Sequence, residues 1–373
     1  MQSCMNNAIY FLFLLVILLQ SCINSEEQDS PPIFNNASFQ VIRIDTDLET
    51  DTVKHSDFAR DFEYIELEAN ENSLIGEIDK MKVDDKYIYI LDKDITKSLL
   101  VFDRTGNFVT KVGRQGKGPG EYNTINDFAI AANNRIVISD WSNKSLLFFE
   151  NFKFKNEQKV EERLESVTFD GSHYYFKIFL MDQISTHELM VTNKNLAILS
   201  KHFPVPEGTE PVYVMPYNFR HYGDSITFFR FFRNKVYRLK DGKIFPKYYF
   251  DFKGNDARHI YSDTEPVVDL ENTTILYTKF FENPDIIFFN FSKSRRGWFA
   301  LYNKHTGALK YSSTIANDVG AGVNFLYNDK DFIYGVIYPE DLEWSDYMKM
   351  MKEKKKDIYK ANPVLAIARF GSN

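Results

Sequence analysis

The chain has 373 residues, of which 44% are hydrophobic and 26% are charged. This balance supplies enough apolar surface for a core and excludes disordered and collagen-like chains. The 45 Lys and Arg residues and 52 Asp and Glu residues give a net charge of −7. Because neutralising phosphates requires a basic surface, no nucleic-acid partner is expected. The 2 cysteines cannot form a disulfide framework.

The chain begins with a segment typical of a secretion signal. Residues 8–19 are all apolar, and this run is too short to span a bilayer as a mature helix. It ends in Leu19-Gln20-Ser21-Cys22, which resembles a bacterial lipobox, where a small residue precedes the cysteine that is lipidated. We therefore predict a signal peptide over residues 1–21 and lipid attachment, as by palmitate, at Cys22. The alternative is a buried N-terminal helix.

An acidic segment follows the predicted lipid. Residues 22–37 are expected to form a flexible tether, with Glu26, Glu27 and Asp29 close behind Cys22. This pattern resembles the tether that sends lipoproteins of Bacteroidetes-type bacteria to the outer face of the outer membrane. An ordinary solvated linker is the alternative. The expected location is the outer membrane, exposed at the cell surface or facing the periplasm, with the lipid as the membrane contact.

A repeat runs through the rest of the chain. Residues 78–108 align with residues 125–154, and each unit has three strands and polar turns. The second strand of each unit alternates with a period of two, is rich in β-branched and aromatic residues, and ends in Asp92 or Asp140. Weaker copies begin near residues 167, 225, 286 and 324.

Six units of this kind predict an all-β fold, a six-bladed β-propeller with four-stranded antiparallel blades in one domain, residues 38–373. Residues 38–44 and 62–67 also have strand character, so an N-terminal strand is expected to complete the last blade. A small separate N-terminal subdomain is the alternative. Residues 340–361 are acidic first and Lys-rich later, which suits a helix dipole and predicts a short helical insertion.

A glycine-rich segment, residues 111–122, lies between the first two units. It is not a phosphate-binding loop, because Pro119-Gly120 replaces the required Lys-Ser/Thr pair. It resembles the junction of NHL-type repeats. Together with residues 87–92 and 362–365 it resembles the six-bladed β-propeller lipoproteins of Bacteroides. That resemblance implies a fold and a location but no established reaction.

Ligand-binding candidates are polar or aromatic side chains expected near the mouth of the central channel. The glycine-rich loop has a competing interpretation as a simple crossover between blades, and Asp140, like Asp92, is also suited to capping a turn. Trp141 could instead stack on a sugar ring. The candidates are Arg114, Gln115, Lys117, Asp140, Trp141, Arg220 and His221.

The histidines show no metal-binding spacing, because His173, His187, His202, His221, His259 and His305 are scattered along the units. No cofactor and no catalytic residue are predicted, although a divalent metal held by several blades in the channel stays open.

The sequence thus predicts a cell-envelope lipoprotein whose propeller binds a glycan, a peptide or a protein partner at the channel mouth, without catalysis. One alternative is a polysaccharide lyase or hydrolase with a metal in the central channel. Another is a scaffold of an outer-membrane complex. The oligomeric state is left open.

Overall fold

Six antiparallel sheets make up nearly all of the regular structure. The computed structural model describes residues 38–46, 50–131, 135–180, 185–205, 218–222, 225–230, 234–253, 274–319, 322–338 and 361–371. The predicted signal peptide, the tether and all but the last residue of the predicted helical insertion lie outside these ranges.

The strands are numbered in chain order, and the six sheets are called blades 1 to 6. Three strands precede the first blade: β1 (Gln40–Arg43), β2 (Val53–Lys54) and β3 (Ala59–Glu66). Blade 1 contains β4 (Lys80–Val83), β5 (Tyr87–Asp92), β6 (Ser98–Asp103) and β7 (Phe108–Lys111). After the short pair β8 (Arg114–Gln115) and β9 (Glu121–Tyr122), blade 2 contains β10 (Asp127–Ala131), β11 (Arg135–Asp140), β12 (Ser145–Glu150) and β13 (Lys153–Lys159).

Blade 3 contains β14 (Leu164–Phe169), β15 (His173–Ile178), β16 (His187–Asn193) and β17 (Ile198–Pro204). Blade 4 contains β18 (Phe219–Tyr222), β19 (Ser225–Arg230), β20 (Lys235–Lys240) and β21 (Lys243–Asp251). Blade 5 contains β22 (Thr274–Glu282), β23 (Ile286–Lys293), β24 (Arg296–Asn303) and β25 (Leu309–Ser312), followed by the short β26 (Ile315–Ala316). Blade 6 contains β27 (Asn324–Asn328), β28 (Phe332–Ile337) and β29 (Val364–Phe370).

The fourth strand of blade 6 comes from the other end of the sequence. Strand β3 pairs antiparallel with β29, with Glu66 opposite Val364 and Ala59 opposite Phe370. The expected six-bladed ring and its closure by an N-terminal strand are therefore confirmed. Closure of this kind pairs the edge that blade 6 would otherwise expose.

The other N-terminal strand does not join the last blade. Strand β1 pairs in parallel with β21 at the outer edge of blade 4. Farther along, Val53 N–H donates to Ser312 Oγ at 2.9 Å, and β2 pairs with β26 beside blade 5. The N-terminal segment thus contacts blades 4, 5 and 6 in turn, because each outer edge offers free backbone groups. This arrangement replaces the alternative of a separate subdomain.

Aromatic side chains fill the spaces between blades. Phe58 stacks on Phe288 between blades 5 and 6 at 4.4 Å between ring centroids. Phe250 meets Phe289 between blades 4 and 5 at 4.7 Å. The 16% aromatic content is therefore explained by packing, since large rings bury the faces of neighbouring sheets.

A repeated turn ends the first strand of three blades. Asp84, Asp170 and Asp329 each accept backbone N–H groups two and three residues later. Each also accepts a hydrogen bond from a tyrosine hydroxyl five residues later, in the second strand of the blade. This turn holds the first two strands in register.

Candidate functional site

The first strands of the blades surround a central channel in which three adjoining cavities are found. The middle cavity has a volume of about 250 Å³. It shares Lys80 and Phe219 with a cavity of about 20 Å³, and His221 and Tyr327 with a cavity of about 550 Å³. The cavities therefore follow one path along the inner strands.

The two ends of this path differ. The smallest cavity is lined by Asp79 and Asn126, which precede the first strands of blades 1 and 2. The largest is lined by Asp84, Asp85 and Asp329, from turns that follow the first strands of blades 1 and 6. The channel is thus wide on the face where the first strands end.

We call the basic and hydroxyl-bearing lining of the middle cavity the channel site: Lys80, Lys82, Arg220, His221, Lys279 and Tyr327. These residues come from blades 1, 4, 5 and 6, so only the closed ring assembles them.

Lys80 is neutralised within the protein. Its Nζ atom lies 2.5 Å from Oδ1 of Asp127 and donates to the carbonyl oxygen of Phe128 at 2.8 Å. Burial lowers the pKa of Lys80, and the charge of Asp127 opposes that shift. Lys80 is therefore a structural cation that joins blades 1 and 2.

Lys82 is two residues farther along the same strand and is buried. Within the described ranges, no hydrogen-bond acceptor or carboxylate pairs with its Nζ atom. Burial lowers the pKa of Lys82 well below its ordinary value, the charge of Lys80 adds to the shift, and the charge of Asp127 opposes it. Its donors are thus available to a ligand in the middle cavity.

Among the described residues, the hydrogen-bond partner of Lys279 is neutral. Its Nζ atom donates to Oδ1 of Asn324 at 2.7 Å. Burial, with a further contribution from the charge of Arg220, lowers the pKa of Lys279 to about 8. Two basic side chains from blades 4 and 5 therefore act on each other electrostatically in this cavity.

His221 links blades 3 and 4 and lines both larger cavities. Its Nε2 atom lies 2.7 Å from Oγ1 of Thr168. Burial lowers the pKa of His221 well below its ordinary value, and the charges of Lys82 and Lys80 add to this. The imidazole is therefore neutral at neutral pH.

Three acidic side chains close to the middle cavity are paired with lysines. Asp127 lies against Lys80, Glu165 lies 3.5 Å from Lys177, and Asp79 lies 3.4 Å from Lys93. Lys82 and Lys279 have no such carboxylate partner among the described residues. The channel site is consequently electropositive although the whole chain is acidic.

Two of the sequence candidates, Arg220 and His221, lie in this site. They belong to the inner strand β18, whereas the sequence suggested a loop at the mouth.

The glycine-rich candidates lie elsewhere and line none of the three cavities. Arg114 and Gln115 form β8, which pairs with β9 in the crossover from blade 1 to blade 2. Arg114 Nε donates to Oε1 of Glu121 at 2.6 Å, and Gln115 Nε2 donates to the carbonyl oxygen of Asn123 at 3.2 Å. Lys117 is exposed in the same loop.

Asp140 has the contacts of a loop cap. It is buried and accepts hydrogen bonds from the backbone of Asn123 at 2.7 Å and from Thr124 Oγ1 at 2.9 Å. Asp92 accepts equivalent bonds from the backbone of Gly76. The next candidate, Trp141, packs against Phe179 with 4.6 Å between ring centroids.

Sequence reasoning missed Lys80, Lys82, Lys279 and Tyr327. A signal was present: in the string Lys80-Met81-Lys82-Val83, charged residues alternate with apolar ones at the start of a repeat unit. When such a strand is the first strand of a blade, next to the central channel, its lysines lie beside the channel.

In the part of the chain that the structure describes, no three His, Cys, Asp or Glu side chains come together to hold a metal ion. None of its helices is long and apolar enough to cross a membrane.

Comparison with known proteins identifies relatives of this fold. The sequence model of a family described as a domain of unknown function, DUF4934, matches residues 39–369. No curated protein matches significantly. A Bacteroides fragilis protein described as exported has a TM-score of 0.72 at 17% identity, over 89% of this chain and 100% of the other.

Two further structures are more distant. A DUF4221 member from Bacteroides vulgatus has a TM-score of 0.49 at 10% identity, covering 86% of this chain and 99% of the other. The virginiamycin B lyase of Staphylococcus aureus has a TM-score of 0.44 at 8% identity, and the match covers 83% of this chain and 99% of the lyase. The similarity to the Bacteroides fragilis protein shows a shared propeller fold.

Proposed function

This chain belongs to the DUF4934 family of domains of unknown function, and we propose from its channel that it binds an acidic glycan without transforming it. The carboxylate or sulfate of the glycan enters the channel site, and the neutral part of the sugar chain occupies the wider cavity.

One observation carries this proposal: Lys82 and Lys279 line the same buried cavity, and among the described residues neither has a carboxylate partner. Burying a cation without a counter-charge is unfavourable. An anionic group in the cavity would supply that counter-charge and the missing hydrogen-bond acceptors. The site is therefore suited to an acid and poorly suited to a neutral ligand.

The wider cavity favours a sugar over a peptide as the attached chain. It combines the aromatic side chains of Tyr327 and Phe332 with the exposed carboxylate of Asp331. Aromatic faces stack on sugar rings, and carboxylates accept hydrogen bonds from sugar hydroxyls.

The proposed location is the cell envelope, with the chain anchored as an outer-membrane lipoprotein through Cys22. The lipobox-like Leu19-Gln20-Ser21-Cys22 supports this proposal. The similarity in fold to a Bacteroides protein described as exported is consistent with it.

The binding proposal is tested by titration calorimetry with uronic-acid oligosaccharides, their neutral counterparts and acidic peptides. The acidic oligosaccharides should bind, and Lys82→Met with Lys279→Met should weaken binding by at least about tenfold, as expected when a buried charge loses its partner. Lys111→Met, at an exposed position of the outer strand of blade 1, is the matched control. Equal binding of neutral sugars would refute the acidic ligand, and a preference for peptides would refute the glycan.

A further inference from the structure

Lys82 has the surroundings of a reactive amine. It is buried on an inner strand and lines a cavity of about 250 Å³ that is large enough for a small organic acid. As an ammonium group it would bury three donors with no acceptor among the described residues. Before an acid group supplies a counter-charge, a neutral amine avoids most of that penalty and carries a free lone pair.

The neighbouring charge favours the neutral amine as well. Lys80 lies two residues away on the same strand and keeps its charge through Asp127. A second ammonium group beside it is disfavoured by repulsion. Burial together with Lys80 lowers the pKa of Lys82, although the charge of Asp127 opposes part of this shift. A lysine that is desolvated and next to another cation is a recognised form of activated amine.

The other lysines that line the cavities differ from Lys82. Lys80 is paired with Asp127, and Lys93 lies 3.4 Å from Asp79. Lys279 shares the burial and a neighbouring cation, but its Nζ atom donates to Asn324. Lys330, in the wider cavity, is exposed.

We propose that Lys82 forms an imine with the carbonyl group of an oxo acid held in the channel site. This inference rests on the proposed acid-binding function and adds a covalent step to it. An acidic sugar in its open-chain form, which exposes an aldehyde or ketone, belongs to this class of ligand. Lys279 and Arg220 line the same cavity and can hold the acid group.

The chemistry needs no oxidant or reductant. The lone pair of Lys82 Nζ attacks the carbonyl carbon, so a C–N bond forms as the C=O π bond breaks, and a proton moves from nitrogen to oxygen. The resulting carbinolamine then loses its hydroxyl group together with the second nitrogen proton as water, and the C–N bond becomes double. Amine and carbonyl therefore give imine and water.

Two groups of the cavity can carry the protons. His221 is a neutral imidazole and thus both accepts and donates. Tyr327 supplies a hydroxyl group from blade 6. Both residues also line the wider cavity, through which water and ligand would pass.

The test is reductive trapping on the full chain purified in detergent. The protein is incubated with pyruvate and cyanoborohydride near pH 7, where ordinary lysines, with a pKa of about 10.4, are protonated. Peptide mass mapping should find one 1-carboxyethyl group, located on Lys82. Lactate, which has the carboxylate of pyruvate but no ketone, should compete for the channel site and so reduce labelling of Lys82. Neutral acetone should label Lys82 more slowly than pyruvate.

The variants test whether Lys82 is the nucleophile. Lys82→Arg supplies hydrogen-bond donors but no nucleophilic amine, so trapping should disappear; Lys111→Arg should trap like the native chain. Lys82→Met, with its fold checked by circular dichroism, should also prevent trapping. Label distributed over exposed lysines, or none on Lys82, would overturn the imine. If calorimetric binding persisted in that case, the proposed function would stand.

Discussion

The Nζ atom of Lys80 lies 2.5 Å from Oδ1 of Asp127, which joins the innermost strands of blades 1 and 2 through one buried ion pair. The second carboxylate oxygen of Asp127 accepts the backbone N–H of Val167 at 2.8 Å, in blade 3. A single aspartate therefore connects three blades beside the channel.

Removing the charge of Asp127 should destabilise the protein. Asp127→Asn leaves Lys80 buried without its counter-charge, and the free energy of unfolding should fall by about 3–5 kcal/mol. Urea denaturation followed by circular dichroism measures this change. Asp94→Asn is the matched control, because Asp94 is exposed and lies 3.9 Å from Lys93, so its loss should be below about 1 kcal/mol. Equal effects of the two variants would contradict the structural role of Asp127.

Lys279 should make stability depend on alkaline pH. Its pKa is about 8 in the folded protein and 10.5 as the ordinary value. Between these values the unfolded chain binds the proton that the folded chain has lost, so stability rises with pH across this window. The native protein should gain roughly 1–3 kcal/mol there relative to Lys279→Met. Denaturation at a series of pH values measures the difference, and parallel curves would refute it.

Gly120 should not tolerate a side chain. Its φ of +78° lies in the left-handed region, and an added Cβ would approach Phe154 to 2.8 Å. Gly120→Ala should therefore lower the free energy of unfolding by about 1–3 kcal/mol, and the midpoint temperature of thermal unfolding should fall with it. Gly297→Ala is the control, because an added Cβ there meets nothing within 4 Å. Equal unfolding midpoints for Gly120→Ala, Gly297→Ala and the native protein would contradict this prediction.

Cys22 should carry the lipid. In cells fed labelled palmitate, Cys22→Ala should abolish incorporation, because the thioether attachment point is gone. Cys4→Ala should keep the label, since Cys4 would leave with the signal peptide. Label retained after Cys22→Ala would show that the anchor is assigned to the wrong residue.

The repeat could be predicted from the sequence because each unit has the same local pattern of residues. The alternation of Tyr87-Ile88-Tyr89-Ile90 and the aspartates at positions 92 and 140 recur at equivalent points of two units. The period of a strand and the residues of a turn depend on neighbours in the sequence, so both can be predicted without knowing the fold. The closing strand was identified for the same reason.

The channel site could be found only in part. The sequence predicts Arg220 and His221 as binding candidates because they are polar residues next to a strand, whereas Lys82 and Lys279 are not among its candidates. The alternation around Lys82 fits a strand beside a channel, but it fits a strand with one solvated face equally well. The difference lies in burial and in the missing partner, and both arise from other blades.

The sequence by itself determined the strand pattern, the number of blades and the turn caps, because these follow from residues close along the chain. Only the tertiary structure decided which polar groups meet. Ring closure brings Lys82 of blade 1, Arg220 of blade 4 and Lys279 of blade 5 around one cavity. The electrostatic consequence is a cluster of basic side chains in the middle cavity of an acidic protein. It follows from three-dimensional proximity because charge interactions depend on distance and burial.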